Sequence, residues 1–346
     1  MKNFVFGMDT QHPAECARQL REHGFDAVVI GGATPEVAAA LEAEEIELYL
    51  SYGAYGVPKD SPDLAQDAFG YSRRWFNSGC PNDLANAQKH LDAVLEKAAK
   101  LPTVRGILVD GARFASFASV EGIESFFTCF CPHCMQAMKK MGLDAEAIRE
   151  TVGRLMRTRK AEDRDAQVLQ QWLLFREKTV QQYMDTFAQR VHALRSHLLA
   201  GAFIFAPSLG AFVGQTAKAC RSLDVVSHML YRDFHQEFGV ACLGHEWAAL
   251  IEGFGQETDA LIRAAAPESP FFVHKTPRDL LESGLEPEWV GQEVAYGRQT
   301  CLPKQLLWPI IQIDDDRIHE TARQARINGA DGIGLFAYGN GEVPCF

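Results

Sequence analysis

The 346 residues are 47% apolar and 23% charged, with a formal charge of −11 and a pI near 5.5. That balance allows a large buried core and excludes extended disorder, and without a Lys/Arg cluster it leaves no basic face for a nucleic-acid backbone. The stretch Met1 to Asp9 is too short for a secretory apolar region, and no apolar run reaches the roughly 18 to 20 residues of a membrane span, so a cytosolic protein with no membrane contact is expected.

Short β-branched and aromatic runs alternate with stretches of helical period, the pattern of βα units around a parallel sheet. The first strand is expected at Phe4 to Met8, with a helix from Pro13 to His23 stopped by Gly24. The second strand is Ala27 to Ile30, and Thr34 caps a helix whose first residue is Pro35. Strand three is Ile46 to Ser51, followed by a long loop through Ser72-Arg73-Arg74-Trp75 and Cys80, then a helix from about Asp83 to Lys100. Strand four, Arg105 to Val109, ends at Asp110. A helical insertion over residues 111–170 follows, with a helix at Ala145 to Arg157, and a helix from Trp172 to Ser196 closes the unit. Strands five to eight are expected at Ala202 to Phe205, Val225 to Leu230, Leu307 to Ile313 and Gly332 to Phe336. Between strands six and seven, Phe271-Phe272-Val273-His274 reads as an extra strand or a loop.

An open doubly wound sheet is the competing architecture, but the first βα turn lacks a Gly-rich phosphate fingerprint and eight units suit closure. The expected fold is therefore one (β/α)8 TIM barrel domain over residues 1–346, with the cysteine-containing insertion after strand four inside it.

Nine cysteines in a reducing compartment are expected as thiols or metal ligands. Cys16, Cys220, Cys242, Cys301 and Cys345 stand apart and read as small buried apolar residues. Cys129-Phe130-Cys131-Pro132-His133-Cys134 instead places three sulfurs in a tight knuckle. Cys80, followed by its own Pro turn, leaves the same end of the adjacent strand and is the expected fourth ligand. Four thiolates suit a structural zinc with no open position. The alternatives are three reduced thiols at a helix start, or His133 in place of one sulfur.

Ser72-Arg73-Arg74, Cys80-Pro81-Asn82 and the Cys-x-Cys-x2-Cys run together resemble the zinc-binding pattern of glycoside hydrolase family 42 β-galactosidases. The continuation through Met135, Met138 and Gly142-Leu143-Asp144, with Asp110-Gly111-Ala112-Arg113-Phe114 after strand four and Met229-Leu230-Tyr231 on strand six, also resembles hypothetical glycosyl hydrolases of the α-fucosidase-like barrel type. The resemblance implies a barrel, a structural zinc and a carbohydrate substrate. The Asn-Glu pair that family 42 carries after strand four, and its catalytic Glu after strand seven, have no counterpart of that form here.

Glycoside hydrolysis needs two carboxyl groups about 5 to 9 Å apart, and in a barrel the carboxyl ends of the strands supply them. Asp110 is the expected acid/base, the alternative being a cap or an ion pair with Arg113. Among Asp314, Asp315 and Asp316, crowding of like charge makes a raised pKa available, and Asp314 is the expected partner; otherwise the triplet caps the next helix. Asp9, Arg113, Tyr231, Arg232, His274 and Tyr338 are expected to line the sugar site. Glu121 and Glu124 read as surface helix residues of the insertion, the alternative being that they reach over the site; Trp308 reads as core, and His228 as buried and hydrogen bonded. The reading is a glycosidase for a small glycoside or oligosaccharide, with a homo-oligomer as one possible state. Its rivals are a non-catalytic carbohydrate-binding barrel and a metal-dependent sugar isomerase or lyase.

Overall fold

The structure is a computed structural model that describes residues 1–58, 60–75, 79–119, 121–160, 162, 165–232, 242–265 and 270–336. Eight parallel strands form its centre: β1 (Lys2–Phe6), β2 (Ala27–Ile30), β3 (Glu47–Gly53), β4 (Val104–Asp110), β5 (Leu199–Ile204), β6 (Val225–His228), β7 and β8 (Gly332–Phe336). β7 comes in two halves, Leu306–Leu307 and Ile310–Gln312. The first half pairs with β6 and the second with β8, which in turn pairs with β1, so the sheet closes on itself. An isolated bridge from Met229 to Ile310 completes the ring.

The expected (β/α)8 barrel is thus present, and several local signals read as intended. β2 is buried at every position, as a parallel strand covered on both faces should be. Thr34 accepts from the Val37 N–H to start α2 (Pro35–Ala43), and Asp83 does the same for Asn86 at the head of α3 (Leu84–Lys100). Other boundaries move. β1 runs two residues earlier than Phe4 to Met8, β4 gains a residue at each end, and β5 begins at Leu199 instead of Ala202. β6 stops at His228, two residues short of Leu230. β7 is not the continuous strand Leu307 to Ile313, because Pro309 has no N–H to give the ladder. Phe271-Phe272-Val273-His274 is loop.

Side chains fill the barrel in tiers. At the amino end Lys2 pairs with Glu47, and its ammonium lies over the rings of Tyr49 (5.7 Å) and Trp308 (5.5 Å). Above it, Trp308 meets Phe4 at 5.8 Å and, from the opposite strand, Tyr49 at 5.6 Å, as expected of a core tryptophan. Near the carboxyl end Phe6 crosses to Phe203 at 5.3 Å and stacks on Phe336 at 5.4 Å. Gly334 leaves room for the Phe4 ring of the Trp308 tier, since a Cβ there would lie 2.1 Å from it.

Helices α1 (Pro13–Glu22), α2 and α3 follow the first three strands. Between β4 and β5 come a 3-10 turn (Ile123–Phe127), α4 (Pro132–Lys140), α5 (Ala145–Thr158) and the 29-residue α6 (Ala166–Leu194). α6 starts six residues before the expected Trp172. Later come α7 (Pro207–Val213), α8 (Leu243–Phe254), α9 (Thr258–Ala265), α10 (Pro277–Ser283), α11 (Pro287–Thr300) and α12 (Ile318–Ile327). No helix among the described residues is long and apolar enough to cross a membrane.

Candidate functional site

The four clustered cysteines meet. Cys80, Cys129, Cys131 and Cys134 are all buried, with every sulfur within 4.8 Å of the others. Cys80 Sγ lies 3.2 Å from Cys131 Sγ and 3.3 Å from Cys134 Sγ. A tetrahedral metal with bonds of about 2.3 Å sets its sulfurs about 3.8 Å apart, so the quartet fits one ion. Its surroundings are made for negative sulfur. The Asn82 N–H donates to Cys80 (3.3 Å), the Asn82 amide to Cys134 (3.3 Å) and the Gln66 N–H to Cys129 (3.4 Å). Within the quartet, neighbouring thiols hold Cys131 far below its ordinary range and raise Cys80, and burial raises Cys134. Gln66 belongs to a short hairpin, Ala65–Gln66 with Ser72–Arg73, that also takes the Phe130 N–H on the Gln66 carbonyl. Both halves of the knuckle are thereby tied to the loop after β3. Among the described residues this is the one group of three or more His, Cys, Asp or Glu side chains able to hold a metal.

Asp110 ends β4. Gly111 follows with φ +65°, a conformation that favours glycine, and its N–H turns back onto Asp110 Oδ1 at 2.7 Å. Burial raises the Asp110 pKa, with Arg113 and the Gly111 N–H pulling the other way. The charge of Asp110 acts in turn on Tyr231, a buried phenol whose ring packs on Phe336 at 5.1 Å. Arg113 is buried between two rings, 4.5 Å from the centre of Trp75 and 4.4 Å from that of Phe205, and donates to the Phe114 carbonyl. Burial lowers it to about 10, with Glu246 and Asp110 opposing. The sequence reading missed Glu246. It accepts from Ser116 Oγ (2.7 Å) and from the N–H groups of Phe117 and Ala118 (both 2.9 Å), fixing the loop beyond Asp110 from α8. The signal was available: Glu246 falls on the same helical face as Leu243, Trp247, Leu250 and Phe254.

The triplet after β7 divides. Asp315 is buried and takes the Arg232 fork, the Thr321 hydroxyl (2.7 Å) and the Arg317 N–H (2.8 Å). Asp316 is exposed and also pairs with Arg232. Asp314 is exposed, joined to the Gln312 amide at 3.4 Å, and stands in no ion pair among the described residues. Arg232 is accordingly a buried structural cation. Asp9 pairs with His12 at 2.9 Å and accepts the Gln11 N–H, and both contacts lower its pKa. His274 is exposed on its loop. Tyr338 and Cys345 lie outside the described residues. Glu121 accepts from the Arg74 N–H and Glu124 pairs with Arg159.

Among the lone cysteines Cys16, Cys220 and Cys242 are buried and Cys301 is half-buried. His228 is buried as expected, and burial lowers its pKa to about 3. Its Nδ1, however, has no hydrogen-bond partner among the described residues.

No protein-family model matches the chain, and no curated protein does. Solved structures do. A β-galactosidase from the psychrophilic Marinomonas ef1 aligns with 98% of this chain and 54% of its own length, at a TM-score of 0.64 and 14% identity. A catalytic mutant of Gan42B, a GH42 β-galactosidase from G. stearothermophilus, aligns with 97% of this chain and 51% of its own, at a TM-score of 0.58 and 12% identity. The fold is therefore that of a TIM barrel, similar to the barrels of these GH42 and other β-galactosidase structures, of whose solved chains this chain spans about half the length.

Proposed function

We propose that the chain is a glycosidase that cleaves a small glycoside or oligosaccharide with two carboxyl groups, Asp110 and Asp314. The observation that carries this reading is Asp110: a carboxyl at the carboxyl end of β4 whose pKa is raised by burial, as a proton donor to a leaving oxygen requires. Asp314 is its partner by elimination, since Arg232 engages Asp315 and Asp316. Arg113 and Tyr231, placed around Asp110, are proposed to orient the sugar, with Asp9, His274 and Tyr338 farther out. Arg232 contributes by holding the β7 rim.

The cysteine quartet is proposed to hold zinc. With four thiolates it has no position for water or substrate, so the ion serves as a clamp between the loops after β3 and β4. Residues 1–346 are read as one barrel domain with a helical insertion at 111–170 carrying the knuckle. Reduced thiols suit a cytoplasmic setting.

A panel of aryl glycosides tests the reading. Wild type should hydrolyse at least one, and Asp110→Asn and Asp314→Asn should each lose most of that activity while keeping the wild-type circular dichroism spectrum. An Asp110→Asn enzyme as fast as wild type would remove the assignment. Elemental analysis should give about one zinc per chain, the stoichiometry of a four-ligand site.

A further inference from the structure

Arg176 lies in the first half of α6, on the buried face shared with Trp172 and Val180, and its side chain is fully enclosed. Among the described residues no carboxylate is a partner of it. Its guanidinium stacks 3.9 Å from the centre of the Trp172 ring, with Phe126 at 4.8 Å and Phe114 at 5.1 Å. It donates to the carbonyls of Phe126 and Thr128, the residues leading into Cys129, and to that of Phe212 in α7. Burial pulls its pKa down to about 9, with Cys134 and Cys129 opposing. A permanent cation in an aromatic cage is costly unless an opposite charge is close, and four thiolates around a divalent ion leave a net charge of about −2.

We infer that Arg176 is the positioning residue and counter-charge of the cysteine metal site, binding the knuckle to the loops that follow β4 and β5. The inference rests on the metal reading above. The joint extends toward Asp110: Phe114 packs on the guanidinium, and its N–H donates to the Val213 carbonyl at 3.0 Å. A lysine offers charge without the planar fork that spans three carbonyls. Methionine offers bulk without charge.

The test uses cobalt(II) as the probe, because a tetrahedral thiolate site gives it a distinctive visible spectrum. Cobalt-loaded wild type, Arg176→Met, Arg176→Lys and Phe114→Leu are each titrated with a competing chelator. Arg176→Met should hold cobalt about 10- to 100-fold more weakly, the usual cost of losing an outer-shell partner, and Arg176→Lys should fall in between. Phe114→Leu, which loosens the same cage without touching charge, should lower the melting temperature and keep cobalt affinity near wild type. Unchanged affinity in both Arg176 variants would overturn the inference, and so would a loss in Phe114→Leu equal to that in Arg176→Met. If Arg176→Met does not fold, Arg176→Gln, uncharged but able to donate to the carbonyls, takes its place: weaker cobalt binding upholds the role and wild-type binding ends it. Wild type that takes up no cobalt would instead sink the metal reading, and the inference with it.

Discussion

Two rim carboxylates, Asp110 at the end of β4 and Asp315 just beyond β7, lie at the carboxyl ends of their strands and live in opposite environments. Asp315 faces a buried guanidinium in a two-pronged pair and accepts two further hydrogen bonds. Asp110 has, among the described residues, a single backbone N–H, with a neighbouring arginine held between two rings and enough burial to raise its pKa. Strand-end position therefore does not by itself mark a reactive acid. What distinguishes the two is whether the surroundings have already satisfied the charge.

The largest effect that would sharpen this contrast is kinetic: Asp110→Asn should lower kcat/KM on a turned-over aryl glycoside by about 10²- to 10⁴-fold, the range of general acid/base catalysis. An unchanged rate would erase the difference between the two residues. Next, Asp315→Ala should cost about 3 kcal/mol in chemical denaturation, since it leaves the buried Arg232 guanidinium with the exposed Asp316 and the Leu285 carbonyl in place of a two-pronged buried partner. A loss under about 1 kcal/mol, the scale of surface pairs, would show that the pair is solvated after all.

A third buried carboxyl, Glu293 on α11, extends the comparison away from the rim. It accepts from the Ser208 N–H and the Trp289 indole, yet burial raises it to about 7. A carboxyl raised in the folded state stabilises fully below its unfolded value, near 4.5, and loses that contribution as pH rises through about 7. Glu293→Gln should therefore gain up to about 3 kcal/mol over wild type near pH 8, following the linkage relation, and nothing near pH 4. The same sign applies to Asp110, whose Asn variant should melt higher than wild type at pH 8 with the gap closing in acid. Melting curves across pH check both, and a gap that widens in acid would reverse the assignment. The smallest effect should come from Asp316→Asn. Its side chain is 72% exposed, and the change should stay within about 0.5 kcal/mol.

The parts legible in the sequence were those decided by local chemistry. The bounds of β2 and β8, the Thr34 cap and the four-cysteine set depend on neighbours in the chain or on one repeated residue type. The Arg232–Asp315 pair joins positions 83 apart and exists only because the sheet closes, so no local pattern announces it. Arg176 and Glu246 lay between these extremes: a charged residue on an otherwise apolar helical stripe is visible in the sequence, and what it faces is not. The triplet after β7 shows the same limit, since crowding of charge was legible but the cation that divides it was not.

The interruption at Trp308-Pro309 bears on how the ring of strands could come apart. Leu307 has its N–H on the Asp331 carboxylate and Trp308 bonds back to Val226, while the Pro309 carbonyl takes the Gly334 N–H. Each neighbour thus holds β7 by a short register, two residues on the β6 side and three on the β8 side. Unzipping here breaks fewer ladder bonds than parting β3 from β4, whose register runs from Leu48 to Gly53. Amide exchange in the native protein should accordingly start at this seam, leaving the cysteine-clamped side of the cylinder as the last to open.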